Sequence, residues 1–225
     1  MRLVVLAVFS ALMITGCSHT NNLAEYDVKG KTCLFRNIVE PEAQQVEINI
    51  ATPSTGNVVG DIIVAVGEGA ISNEAYRKLE RAIKPGGVAA SISAELEQAM
   101  KTYLLVDAVS KLTDETAFIV ETRLRECELR SSGAGVFVVV GAEAAIYDRA
   151  SGNLVWEYSA REDLPIRRSV VPPVDPVTHT TAGIISAVQL TQMSEEEIQE
   201  AVQRTAAAVG RELADVLRED VSEQD

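Results

Sequence analysis

The sequence predicts an α+β fold, a run of strands joined by short turns together with helices, the last of which is amphipathic and shaped to cover a sheet. Three observations carry this. Residues 117–160 read as three successive strands separated by turn chemistry. Ile92, Leu96, Ala99 and Tyr103 recur at helical spacing. Ile198, Val202, Val209, Leu213, Val216 and Leu217 form one apolar stripe behind a helix-start signal, and such a stripe needs a surface to bury it.

Ala117–Arg130 opens with the strand formers Phe118, Ile119 and Val120. Val120, Thr122 and Leu124 share one face, whereas Cys127 and Leu129 have the opposite parity, which predicts a bulge near Arg125. Residues 131–135 (SSGAG) turn the chain. Val136–Tyr147 is apolar on both faces at its start, as a central strand is. Asp148–Gly152 carries hairpin chemistry: the aspartate accepts a backbone hydrogen bond and the glycine takes positive φ. Asn153–Ser159 completes an antiparallel meander, with Leu154, Trp156 and Tyr158 on one face and Trp156 expected in the core.

Upstream, Thr32–Arg36 and the strictly alternating Val46–Ile50 are further strands. A helix is expected over Asn73–Ile83, stopped by Lys84-Pro85-Gly86-Gly87. A second begins near Ala89, and Leu104–Val106 is a candidate short strand. Leu164–Thr181, with Pro165, Pro172, Pro173 and Pro176, reads as an extended surface loop. Ala182–Gln192 fits strand or helix. Ser194 and Glu197 form a capping box, with Glu195 and Glu196 placed favourably against the helix dipole.

Asp61–Ser72 (DIIVAVGEGAIS), strand or helix, runs through Gly67 and Gly69 into a helical stretch and superficially resembles a phosphate loop. Glu68 would oppose a pyrophosphate and no series of βαβ units surrounds it, so no nucleotide cofactor is expected. The formal net charge of −13 argues against nucleic acid, whose binders need a basic stripe. Of the two histidines, His19 lies near the N-terminus and His179 in the Pro-rich loop, so no histidine-based metal site is expected. No cofactor of any kind is expected.

The N-terminus carries an address. Arg2 precedes an apolar run from Leu3 to Ile14, too short for the ~20 residues that a membrane-crossing helix needs but suited to a secretory signal. The run ends in Ile14-Thr15-Gly16-Cys17, which resembles the bacterial lipobox. That resemblance implies cleavage before Cys17 and a diacylglyceryl group on its sulfur. Ser18 in the following position favours the outer membrane. The expected organisation is a signal peptide at 1–16, a lipidated Cys17 with a flexible tether to residue 31, and a single periplasmic domain over 32–220. Cys33 and Cys127 then remain, in an oxidising compartment. They are candidates for a disulfide, which would close a long loop worth up to ~4–5 kcal/mol, or for two separate buried thiols.

The segments Ala90–Met100, Thr116–Leu124 and Ala142–Trp156 succeed one another as helix, long strand, strand, Asp-x-x-Ser-Gly turn and strand. This order resembles a loose group of small envelope lipoproteins that includes the auxiliary lipoproteins of ABC-type transport systems, the TolB N-terminal domain and the curli-secretion lipoprotein. The resemblance implies an antiparallel or mixed sheet with helices packed on one face. It also implies a non-catalytic accessory role, work done by binding during transport, secretion or assembly, and it carries over no catalytic residue; a protein partner or lipid is the expected ligand. A self-assembling structural protein is the alternative. A periplasmic hydrolase is a further one: Asp175 and His179 are present, but no Gly-x-Ser-x-Gly elbow accompanies them.

The lipobox generates the first prediction. Incorporation of a palmitate analogue into the chain in growing cells is expected to disappear in Cys17→Ser, and equal labelling of both forms would remove the anchor from Cys17.

Overall fold

The computed structural model describes residues 19–44, 47–50, 77–78, 81–132, 134–168, 189–190 and 192–223. Its strands are β1 (Thr20–Asn21), β2 (Thr32–Val39), β3 (Glu47–Ile50), β4 (Asp107–Val109), β5 (Thr116–Ser132), β6 (Gly135–Asp148) and β7 (Leu154–Arg168). Helix α1 (Pro85–Tyr103) separates β3 from β4, and α2 (Glu195–Ser222) follows β7. The strands form one mixed sheet in the order β1-β7-β6-β5-β2-β4, with β3 also paired to β5. Strands β5, β6 and β7 are the expected antiparallel meander, while β2 and β3 lie parallel to β5 one after the other along its flank. Both helices pack on one face, α1 over β2 and β5, and α2 over β6 and β7. This is the α+β class that the sequence predicts.

The periodicities explain the layers. Phe118, Val120 and Leu124 face the helices, and the register of β5 on β6 shifts between Leu124 and Glu126. Arg125 is the extra residue. After it, Cys127 and Leu129 regain the core. Central β6 is buried from Val138 to Ile146 on both faces, as a strand apolar on both faces at its start requires, with Glu143 the one charged residue in that stretch. In the β6–β7 hairpin, Ser151 donates to Asp148 Oδ2 from its backbone nitrogen at 2.8 Å and its hydroxyl at 2.6 Å, and Gly152 sits at φ 74°. Those bonds hold the Asp148 carboxyl below the usual carboxylate range.

Four expectations are corrected. Lys84–Gly87 does not only stop a helix: Pro85 is the first residue of α1, where its fixed φ fits and its missing N–H costs nothing. The helix is finished by Tyr103, which is 39% exposed rather than in the core, and Leu104 is buried in its place. The short strand expected at Leu104–Val106 is displaced to Asp107–Val109, because Leu105 at φ 55° turns the chain before pairing begins. Strand β7 continues to Arg168 through a segment expected as loop. Pro165 is accommodated because the register shifts between Val136 and Phe137, its partner residue, and β1 does not reach this part of the β7 edge. Residues 61–72, 169–181, Asp175 and His179 lie outside the described residues, as does most of the helix expected at 73–83.

The capping box is present in both directions, Glu197 N donating to Ser194 Oγ at 3.1 Å and Ser194 N to Glu197 Oε2 at 2.8 Å. Ile198, Val202, Val209, Leu213 and Leu217 are all buried, as the stripe demands. The stripe has a second wall besides the sheet, for α2 lies against α1. At the crossing, a Cβ built on Gly210 would stand 2.8 Å from Glu95 Cβ and 3.0 Å from the Ile92 carbonyl oxygen.

Two stability outcomes follow. Val209→Asp and Leu213→Asp should each lose roughly 2–4 kcal/mol by stranding a charge in the core, read as a lower urea midpoint. Gly210→Ala sets a helix-propensity gain of about 1 kcal/mol against overpacking of about 1–3 kcal/mol. The Ile92 obstacle is backbone and cannot swing aside, so net destabilisation is expected; a raised midpoint would mean that the helices separate freely.

Candidate functional site: the stitched N-terminus and the charged sheet face

Cys17 lies outside the described residues; from His19 onward the chain is bonded to the domain. Thr20 and Asn21 pair antiparallel with Glu157 and Trp156, and Asn22 N donates to Val155 O at 2.8 Å. Leu23 and Val28 are buried, and Gly30 N donates to Leu104 O at 2.8 Å. The flexible tether expected up to residue 31 is therefore corrected from His19 onward. Its polar composition hid two apolar side chains, spaced so that both turn into the core while the backbone hydrogen bonds to the sheet.

One buried carboxylate closes this seam. Asp220, 6% exposed near the end of α2, accepts from Trp156 Nε1 at 2.6 Å and from His19 Nε2 at 2.8 Å, both at Oδ2. The His19 ring stands edge-on to Tyr158, centroids 5.5 Å apart. Trp156 is fully buried, so its indole N–H needs a partner, and Asp220 supplies one. Trp156 is core, as expected. Asp220 carries no sequence signal of its own beyond an acid in a helix, and only the position of α2 reveals its role.

The sheet face turned away from the helices is charged. Arg123 donates to Glu143 at 3.0 Å, to Glu121 at 2.5 Å and to Tyr147 Oη at 3.0 Å, and Arg125 reaches Glu143 at 2.5 Å. Burial works against the Arg123 charge, but the bonds to Glu121 and Tyr147 outweigh it and raise the guanidinium pKa above its ordinary value. Farther along, Arg161 holds Glu126 in a two-pronged pair at 2.8 and 3.1 Å, and Arg130 pairs with Asp163. The register builds this ladder: Arg123 is opposite Glu143, and Glu126 is opposite Gly141, which is in turn opposite Arg161. Alternation along β5 already placed Glu121 and Arg123 opposite the core face; their partners across the strands required the register.

The disulfide expected between Cys33 and Cys127 is not formed; both thiols are free and buried. Cys33 registers on Phe118, and Cys127 lies nine residues farther along the same strand, about 30 Å away, whereas a bridge needs Cα atoms within ~7 Å. Burial pushes both thiols up to about 12, so neither presents a thiolate. Among the described residues, no group of three or more His, Cys, Asp or Glu is arranged to hold a metal ion, and no helix is long and apolar enough to cross a membrane.

No protein-family model matches the chain, and no curated protein matches it. Solved structures similar to it include PelC, described as a dodecamer, from Paraburkholderia phytofirmans, at 10% identity over 86% of this chain and 95% of that one, with a TM-score of 0.36. A DUF330 protein from Xanthomonas campestris is 12% identical over 89% of this chain and 96% of that one, with a TM-score of 0.36. A protein provisionally described as a lipoprotein, from Caulobacter crescentus, is 10% identical over 60% of this chain and 83% of that one, with a TM-score of 0.34. Likeness at this level assigns no family, ligand or assembly to this chain.

Asp220→Ala should leave the Trp156 N–H buried without a partner and lower stability by about 1–3 kcal/mol. Trp156 is the only tryptophan, so its emission reports the change directly, and limited proteolysis should open the chain near residues 19–25. Unchanged emission and an uncut N-terminus would show that Asp220 does not hold this seam.

Proposed function

We propose that the chain is a lipoprotein of the bacterial envelope, anchored through Cys17 on the outer membrane, whose domain binds a protein partner and assists transport, secretion or assembly without catalysing a reaction. The observation that carries this reading is the lipobox-like sequence ending at Cys17, followed within two residues by a segment bonded to Asp220 and to β7. A lipid on Cys17 would thus hold the whole domain at the membrane surface. Two or three acyl chains make such an anchor stable where one is marginal.

The charged sheet face is the surface we assign to the partner, and its energetics support that. Arg125 and Arg161 have half-exposed side chains, and ion pairs of this kind contribute only ~0–1 kcal/mol. Their exchange for a partner's charges disturbs the fold little. Glu143 is nearly buried, but it keeps Arg123 when Arg125 turns outward, so it is not stranded.

Photo-crosslinking in growing cells, with a benzophenone side chain at position 125 or 161, should give a discrete protein adduct. The same probe at exposed Glu200 on α2 should not. Adducts from position 200 alone would move the binding surface to the helix layer. Turnover of an ester, peptide or phosphoester by the purified protein, lost on substitution of one of its own residues, would overturn the non-catalytic reading.

A further inference from the structure

The strand register gathers the large exposed apolar side chains of the described residues at one end of the sheet. Thr32 registers on both Asp107 and Thr116, Phe118 on Asp148, and Asn21 on Trp156, so the starts of β2, β4, β5 and β7 and the end of β6 are level. Residues 22–31 run across this end, from the β7 edge to β2, passing Tyr103, Leu104 and Val221, with which they line a shallow cavity. Among the described residues, the exposed large hydrophobics are Tyr103, Leu105 and Leu112, at 39, 63 and 52%. All three fall between the last residue of α1 and the start of β5, at that same end.

Leu105 is also strained. Its φ of 55° makes it the non-glycine residue with positive φ among those described. Glycine occupies that region without penalty and leucine does not. A large apolar side chain is therefore held in an unfavourable conformation and directed to the outside, where it adds nothing to the core. Such strain points to a use for the side chain outside the fold.

From these observations we propose that this end of the domain lies on a lipid bilayer, with Leu105 and Leu112 entering its interface and Tyr103 beside them. The inference rests on the lipid anchor at Cys17. Two residue steps separate Cys17 from His19 and span at most about 7 Å, and His19 is itself bonded to Asp220. An anchor so short cannot hold the domain off the membrane, so some surface must abut the lipid. The anchor leaves at the β1 edge beside Tyr158, four residues or about 13 Å up β7 from this end, and the leucines stand by β4 at the other edge, five strand spacings or about 25 Å away. One tether alone would let the domain swing. A second, apolar contact at the far edge fixes the tilt of the sheet on the bilayer. The acidic chain has no attraction for anionic headgroups, so apolar insertion is the interaction left to it.

The test uses the full lipidated protein reconstituted in vesicles of phosphatidylethanolamine and phosphatidylglycerol. Leu105→Cys, Leu112→Cys and, at the opposite end of the sheet, Ala134→Cys each receive an environment-sensitive fluorophore. Cys33 and Cys127 are buried and do not compete for it. Blue-shifted emission, quenched by bilayer-embedded quencher at 105 and 112 but not at 134, is the expected result. Unlabelled Leu105→Gly, which relieves the strain, should keep the melting midpoint while reducing bilayer quenching of a probe at 112. Acylated, membrane-bound protein whose probes at 105 and 112 stay aqueous overturns the docking and leaves the anchor standing. Chain that is not acylated overturns both. A blue shift in detergent that grows with protein concentration would assign the patch to a second copy and overturn the bilayer reading.

Discussion

The close approach of α1 and α2 at Gly210 is the constraint on which the rest of the structure depends. Glycine lets the α2 backbone come against Glu95 and the Ile92 carbonyl, where any Cβ would force the helices apart. Only at that separation is the α2 stripe covered by the sheet on one side and α1 on the other. A mid-helix glycine weakens a helix by about 1 kcal/mol relative to alanine, a loss offset here by the burial that close packing permits. The placement of α2 then carries its last turn to the β7 edge, where Asp220 meets Trp156 and His19.

That meeting ties three distant parts of the chain. The indole of Trp156 belongs to the core, but its N–H has to be satisfied, and a carboxylate nearly cut off from water is a strong acceptor. The same oxygen accepts from His19, so the N-terminal segment is bonded to the helix layer as well as to the sheet. A second buried carboxylate, Glu143 on the opposite face, is managed differently, with one half-buried and one exposed arginine. The two carboxylates separate a structural role from a surface one: Asp220 pairs inside the seam, whereas Glu143 belongs to a ladder whose outer members are within reach of solvent and partners.

These features bear on the proposed role as a lipid-anchored binding protein. A domain joined to its anchor through Ser18 alone has little freedom above the membrane, so its orientation governs which surface a partner meets. A sheet held at the anchor and at its β4 end turns the β5–β6 turn, its opposite end, away from the lipid.

Much of the fold was legible in local pattern because the forces involved are local. The alternation of β5 with its parity break at Arg125, the Asp148–Gly152 turn, the two-faced burial of β6 and the Ser194–Glu197 cap each depend on residues a few positions apart. The sequence by itself determined the strands of the meander, the capped C-terminal helix and the lipobox-like segment before the domain. Tertiary structure decided the remainder. It ordered residues 19–31 through two buried side chains and a carboxylate 201 residues away. It carried β7 past Pro165 because β1, its neighbour among the described residues on that edge, stops short of it, and it kept Cys33 and Cys127 apart because parallel register set them nine residues out of step. It placed Gly210 at a helix crossing and Leu105 on the outside. In each case the deciding partner is far along the chain, and a contact between distant residues is set by packing geometry, which spacing along the sequence does not encode.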